Sequence, residues 1–585
     1  MDSLPEELQF RNISSKKKTI LEKQQRQVLP SNGTEQTANF SSGPQIVFRV
    51  PIDNEWSIQM DSAHIIADLQ VKGLSAEDSY DNLKRTQTNI DNATKIPILA
   101  PCESYESFIY RIAVYLNGSE LERIDNYSYL ETFKHNWCNN QNWVNLMSGG
   151  MGLGQSILEK SKLLLGGLAT DATSSNTIQI GFPLRYLGLM NIKTLLPAYL
   201  LGPNSLEIRI WLAPASECFT YGSITNTANN NYRYINWTPN TANAISYTLS
   251  NIHMNINYIQ TEPSYNNALS QYLVSNNLQI PIETYFMTQF PISRGQNGWV
   301  TQNISVQYSN INSIYLIFTR NTEQGTVAYL GTDRMHAIEG LSQARLTVNG
   351  KVLPSVPIQF QNPGYLTYPD STVSISNTTN GLLTSGVNGQ ALCQQPEALN
   401  YLMKALGYNT SAEMLGQVNF PVVDASPLLL TSPTAANGNN VQSIYNKVGA
   451  GAFYASNKAV HQFMLQSAAD TSSTPSGRTL NPFSNEEIFW KTPTMFALGW
   501  TMTRSDYSDE FELSGYNASS NSGIVQVGLQ FGAACKDAKR VTAAAAAAAS
   551  AALSSVTPID NYTCWVIIEH TRVLDIGKDN AQVLY

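Results

Sequence analysis

The chain has 585 residues, of which 42% are hydrophobic and only 14% charged, and its formal net charge is -8 at pH 7. That length exceeds one small core and suits two or three domains. An acidic body has no cationic field to hold a nucleic-acid backbone, which disfavours direct genome binding.

Asn, Ser, Thr, Gln and Tyr stand where charges usually do, so amides and hydroxyls solvate the surface and suit it to burial against neighbours. The six cysteines, Cys102, Cys138, Cys218, Cys393, Cys535 and Cys564, include no C-x-x-C pair. A zinc knuckle or redox motif is therefore excluded, and free buried thiols in a reducing compartment are the simplest reading. No apolar run reaches the length of a membrane span, and the N-terminus lacks the apolar core of a signal peptide. Sequons at Asn12, Asn117 and Asn377 are what chance gives in a chain so rich in Asn, Ser and Thr.

Residues 1–43 form a polar stretch without a periodic apolar face and are expected to be an N-terminal arm. Its cluster Lys16, Lys17 and Lys18 offers contacts to nucleic acid or an anionic membrane. The plainer reading is a solvated tail packed under neighbouring subunits.

The first domain is expected over 44–270. Alternating residues from Pro44 to Val50 and from His64 to Lys72 predict strands. The stretch from Arg111 to Ile124 alternates into Asn117-Gly118 and out again, the strongest short-range signal of a two-residue type I′ hairpin. Apolar residues at helical spacing from Asn126 to His135 predict a short helix. Gly149 to Ser156 fits the phosphate-loop pattern G-x-x-x-x-G-K-[ST] except that Gln155 replaces the lysine. Without that cation the phosphate charge is unanswered, so a connecting loop is the better reading. Strands follow over Thr177–Pro183, Leu206–Leu212 and Ser246–Ile259, and Pro263 to Tyr272 reads as a helical link.

The second domain is expected over 271–585 and repeats the plan. Leu278 to Met287 opens it, Ile304–Tyr308 and Ser313–Thr319 supply the long alternation, and Ala344 to Leu353 carries a second hairpin at Asn349-Gly350. Ile524–Phe531 with Cys564–His570 closes it as Leu206–Leu212 with Met254–Gln260 closes the first. The spacing from Gly350 to Ile524, 524 − 350 = 174, is longer than that from Gly118 to Leu206, 206 − 118 = 88. The second copy thus holds the larger insertion, over about 354–500, with a predicted helix from Pro396 to Leu406 and Ser/Thr/Asn/Gly-rich loops expected to project as a tower. Ala543–Ala549 fits a short helix or a disordered bridge. The polar tail from Gly577 ends the chain.

Catalysis needs converging groups, and the six histidines (His64, His135, His253, His336, His461, His570) have no H-x-x-x-H or H-E-x-x-H spacing. There is no G-x-S-x-G elbow, and the acidic pairs Glu486-Glu487 and Asp509-Glu510 sit in polar stretches. No catalytic residue, cofactor or metal site is expected, and no small-molecule substrate. The 29 Tyr and 9 Trp suit sandwich cores and subunit interfaces better than sugar stacking.

The pattern is all-β: two tandem eight-stranded sandwiches, a helix after the fourth strand of each, and a long insertion in the second. Over about residues 44–576 this layout resembles the double jelly-roll major capsid proteins of icosahedral double-stranded DNA viruses, and among them the virophage and polinton-like group. The resemblance implies two tandem jelly rolls in a structural protein of the virion, assembled inside the host cell. It implies a homotrimer forming a pseudo-hexameric capsomer, with neighbouring capsomers, penton proteins and minor or cement proteins as partners. The tower loops would face outward, and the arm would lie inside, near an internal membrane or the genome. A β-sandwich carbohydrate-binding or adhesin protein is the alternative, with the tower loops as its recognition surface. Asn117, Gly118, Asn349 and Gly350 mark the repeat on which the shell reading depends.

Overall fold

The structure is a computed structural model. It describes residues 20–53, 56–74, 95–101, 104–116, 118–138, 163–164, 174–192, 194–197, 206–227, 231–236, 245–320, 338, 341–348, 350–359, 374–375, 396–407, 478–479, 497–502, 515–519, 523–534, 555–556, 561–577 and 580–584.

The first sandwich is built from β1 (Ile20–Val28), β2 (Gln45–Val50), β3 (Trp56–Lys72), β4 (Ile109–Leu116), β5 (Ser119–Asp125), β6 (Ile178–Phe182), β7 (Leu206–Leu212) and β8 (Ser246–Thr261). One sheet follows the path β1-β8-β3-β6, with the short strand Gln36–Ala38 added to β8, and the facing sheet runs β2-β7-β4-β5. A smaller three-stranded sheet joins Lys95–Pro101, Phe219–Thr227 and Asn231–Asn236. Along β3 and β7, buried residues alternate with half-buried ones, as expected of strands with one face on a core.

Of the expected arm over 1–43, residues 1–19 lie outside the described residues, whereas Ile20–Val28 forms β1 and pairs antiparallel with β8 from Ile20 opposite Thr261 to Val28 opposite Met254. Its sequence, ILEKQQRQV, has no apolar face because most of the strand is exposed. Backbone hydrogen bonds hold it in the sheet, and these leave no mark on hydropathy. Arg26 anchors its end, lying 5.0 Å from the Trp56 ring and 4.3 Å from the Tyr258 ring and pairing with Asp53.

The second sandwich uses β9 (Leu278–Ile292), β10 (Gly298–Ser305), β11 (Ile311–Arg320), β12 (Gln343–Val348), β13 (Lys351–Gln359), β14 (Ala497–Thr501), β15 (Ile524–Phe531) and β16 (Tyr562–Gly577). Its sheets run β9-β16-β11-β14, with Asn580–Leu584 added to β16, and β10-β15-β12-β13. Adding eight to every strand of the first sandwich gives these two orders, so the chain contains one jelly-roll topology twice. Ile304 therefore belongs to β10, the counterpart of β2, and only the stretch from Ile311 continues as the counterpart of β3. With β1 counted, the helices α1 (Tyr127–Cys138) and α3 (Pro396–Ala405) follow the fifth strand of each copy rather than the fourth. Between the copies, α2 (Pro263–Ser275) starts with proline in its first turn, where the missing N–H is not needed.

The two hairpins occupy equivalent places. Leu116 pairs with Ser119, and Val348 with Lys351, leaving two-residue turns. Gly118 (φ +82°) and Gly350 (φ +77°) supply the left-handed second position that such turns demand. Asn117 and Asn349 lie outside the described residues.

One core fills the first sandwich and continues across the junction between the two; a second core fills the second sandwich. On β16, Cys564, Val566 and Ile568 point into the second core, while Trp565 and Ile567 point into the shared one. On β11, Ile314, Leu316 and Phe318 divide from Tyr315 and Ile317 in the same way. This sheet is buried on both faces, which is why Cys564 to Ile568 is an unbroken apolar run.

Candidate assembly interface

The surface that the structure builds with most care joins the two jelly rolls. Helix α1 sends Tyr127, Leu130 and Phe133 into the first core and presents Tyr129 and Lys134 to the second sandwich. Tyr129 stacks on Trp565 with centroids 4.3 Å apart, and Phe133 meets Tyr315 at 4.9 Å. The Trp565 indole N–H donates to Thr319 Oγ1 at 3.0 Å, so its polar edge is satisfied inside the layer.

Lys134 Nζ lies 3.5 Å from both carboxylate oxygens of Glu569, and both residues are buried. The ammonium also lies 4.8 Å from the Tyr285 ring and 5.2 Å from the Tyr315 ring. The Tyr285 hydroxyl donates to Glu569 Oε1 at 3.3 Å, and the Tyr315 hydroxyl lies 2.5 Å from Oε2. The ion pair and the Tyr285 hydroxyl offset part of the cost of burying Glu569, so each charge depends on the other for compensation. From the other side α3 closes the layer. The Ala405 carbonyl accepts from the Ser313 and Tyr315 hydroxyls at 2.7 Å, and a Cβ at Gly499 would lie 2.9 Å from Leu402 Cδ1.

A second node lies at the edge strand β5. Glu122 accepts the backbone N–H groups of Gly188 (2.7 Å) and Leu189 (2.9 Å), which open the short 3₁₀ turn Gly188–Asn191. Burial raises its carboxyl pKa, opposed by the Thr284 hydroxyl, those two N–H groups and Arg572. Thr284 on β9 and Arg572 on β16 belong to the second sandwich, and Arg572 Nη1 donates to the Leu121 carbonyl at 3.4 Å. A Cβ on Gly188 would sit 2.0 Å from the Glu283 carbonyl oxygen, so only glycine lets the chains approach so closely here. Beyond this node, β9 and β16 extend Ile280, Ile282, Leu574 and Ile576 into the shared core.

The remaining sequence-marked residues do not converge. His64 and His253 sit half-buried on strand faces, each with Nδ1 on a backbone carbonyl two residues away, Ser62 at 3.1 Å and Asn251 at 2.8 Å. His570 is buried, stacked on Tyr308 at 3.7 Å. Among the described residues no group of three or more His, Cys, Asp and Glu is placed to hold a metal ion. Cys218 and Cys564 are buried thiols, neither of them in a disulfide. No helix among the described residues is long and apolar enough to cross a membrane. Lys16, Lys17 and Lys18, the glycine-rich loop at 149–156, His336, His461, the Ala543–Ala549 run and most of the expected tower lie outside the described residues. Gly118 and Gly350 stand at turns where a Cβ would meet nothing within 4 Å. Lys134, Glu122 and Glu569 were not singled out from sequence, although Glu569 interrupts an apolar run and could have been.

A scan against protein-family models finds no match, and a search of curated proteins finds none. Solved structures do match. The Faustovirus major capsid protein is similar over 98% of this chain and 94% of its own, with TM-score 0.47 and 10% identity. A chain of the Sputnik virophage structure matches over 100% and 92%, with TM-score 0.46 and 8% identity. The mavirus major capsid protein matches over 99% and 94%, with TM-score 0.42 and 9% identity. By its own strand orders the chain is two jelly rolls in tandem, and it is similar over nearly its whole length to solved structures that include major capsid proteins of viruses.

Proposed function

We propose that the chain is a major capsid protein, three copies of which join six sandwiches into a pseudo-hexameric capsomer that tiles an icosahedral shell. The observation that carries this reading is the buried, ion-paired junction that fuses two jelly rolls of one strand order into a single block. Displaying loops does not require such a fusion, whereas a six-cornered tile divided among three chains does. The outer face of the β10-β15-β12-β13 sheet adds support. It carries Thr301, Asn303, Gln526, Gln530, Gln343 and Thr347 beside Arg345, which lies over the Trp299 ring, with Gln526 donating to Asn303 at 2.8 Å. Such a face is buried at lower desolvation cost than an ionic one, so many modest contacts can sum over a lattice.

On this reading the insertion between β13 and β14 forms the outward tower. The residues before β1, with Lys16, Lys17 and Lys18, face an internal membrane or the genome. Penton and minor proteins occupy the edges that the capsomer leaves open, in a virion of the virophage or polinton-like kind. Light scattering on the purified chain tests the proposal: the expected mass is three times 64.5 kDa, and micrographs should show hexagonal outlines or shells. A single chain retained on a glycan array would favour an adhesin instead.

A further inference from the structure

We infer that β13 of one copy docks against β1 of the next, head to tail, and that this contact, repeated three times, closes the capsomer. The inference deepens the capsid reading and rests on it. Within the chain, the fifth strand of the first sandwich, β5, packs on the first strand of the second, β9, through Glu122 and Thr284, and reaches the neighbouring β16 through the Leu121 carbonyl and Arg572. The start of β9 is buried there, with Ile280 at 5% and Ile282 at 1% exposure.

The equivalent pair in the repeat is β13, the fifth strand of the second sandwich, and β1, the first strand of the first. Both are edge strands, and among the described residues neither open edge is covered. Ile20 and Leu21 at the start of β1 are 52% and 53% exposed, and Val356 on β13 is 61% exposed. Nearly every residue of β1 is exposed, and β13 buries only Ile358 fully. Exposed apolar residues on an open edge strand are a liability unless something pairs or covers them. One chain satisfies the contact once and leaves one half of it open at each end. A second copy has the matching half, because the contact is heterologous, and such contacts form closed rings when the rotation permits. Six sandwiches alternating the internal and external versions close with three chains.

The test uses two variants of the full chain, Ile20→Asp with Leu21→Asp on β1, and Val352→Asp with Val356→Asp on β13. All four positions are exposed or half-buried, and an unchanged circular dichroism spectrum with a cooperative melt verifies that each variant folds, its melting temperature falling only by what association adds. Native mass spectrometry should find wild-type trimers and each variant alone as a single chain. An equimolar mixture should give a dimer and no trimer, since only one good β1 edge then meets one good β13 edge. Ile524→Asp, on the outer face of β15, should remain trimeric. Wild-type trimers with both variants still trimeric, or a mixture without dimers, overturn this contact and leave the capsid reading standing. A wild-type chain that stays single overturns the capsid reading itself.

Discussion

Lys134 of α1 and Glu569 of β16 meet across the junction of two jelly rolls, 3.5 Å apart and both buried. The lysine belongs to the first sandwich and the glutamate to the second, so this ion pair couples the folding of one to the other. It depends on both charges being present.

Lys134→Met removes the cation while keeping much of its volume. Glu569 is then a buried carboxylate without its counter-ion, and loss of one partner from such a pair costs about 3–5 kcal/mol. Lys134→Met with Glu569→Gln should recover at least half of that loss. Denaturant unfolding of the two singles and the double checks this as a cycle; strictly additive losses would mean that the pair is not coupled.

Gly188 and Gly118 separate two reasons for a glycine. At Gly118 a Cβ meets nothing within 4 Å, but φ is +82°, so Gly118→Ala should cost about 1 kcal/mol of backbone strain. At Gly188 the Cβ would fall on the Glu283 carbonyl, so Gly188→Ala has to push the sandwiches apart. We expect a loss of about 1–3 kcal/mol or more from that overpacking, together with faster amide exchange at Gly188 and Leu189, whose N–H groups Glu122 accepts. Equal effects of the two substitutions would contradict the close approach.

How much of this was legible follows from what each feature rests on. The hairpin turns could be read because turn chemistry is local, with Gly118 and Gly350 required by their backbone angles. The doubled topology could be read because alternation flanks both hairpins at matching places. Strand β1 could not, since ILEKQQRQV is held by backbone pairing to β8 and leaves no apolar period. The sequence predicts Cys564–His570 only as a closing strand, although the unbroken apolar run to Ile568 followed by Glu569 is the mark of a strand buried on both faces with a charge in need of a partner. Lys134 as that partner was not visible, because nothing in a helix sequence names a contact in the other sandwich.

Trp565 tests the aromatic part of the junction. Trp565→Ala removes the stack on Tyr129 and the bond to Thr319 and opens a cavity, which costs about 3–5 kcal/mol. A cycle with Tyr129→Ala isolates the stacking, for which about 0.5–1.5 kcal/mol of coupling is expected. Coupling near zero would show that Trp565 acts only by filling space.

His570 sets an acid limit on the second sandwich. Burial lowers its pKa from 6.5 to about 3, helped by Arg572 and opposed by the Ile568 carbonyl and Glu569. Above pH 6.5 the ring is neutral in both folded and unfolded chains, so its contribution is fully present. Below that value the unfolded chain binds the proton first, and stability falls by about 1.4 kcal/mol per pH unit until the folded pKa near 3 is reached. Glu106 and Glu122 act with the opposite sign. Their pKa values are raised by burial, so the folded chain holds those protons more tightly. Their contribution is full below the ordinary value of 4.5 and is lost as pH rises. Comparing wild type with His570→Phe, which keeps a ring against Tyr308, isolates the histidine. The difference between their unfolding free energies should grow in favour of the variant as pH falls from 6.5 towards 3, and parallel curves across that window would refute the assignment.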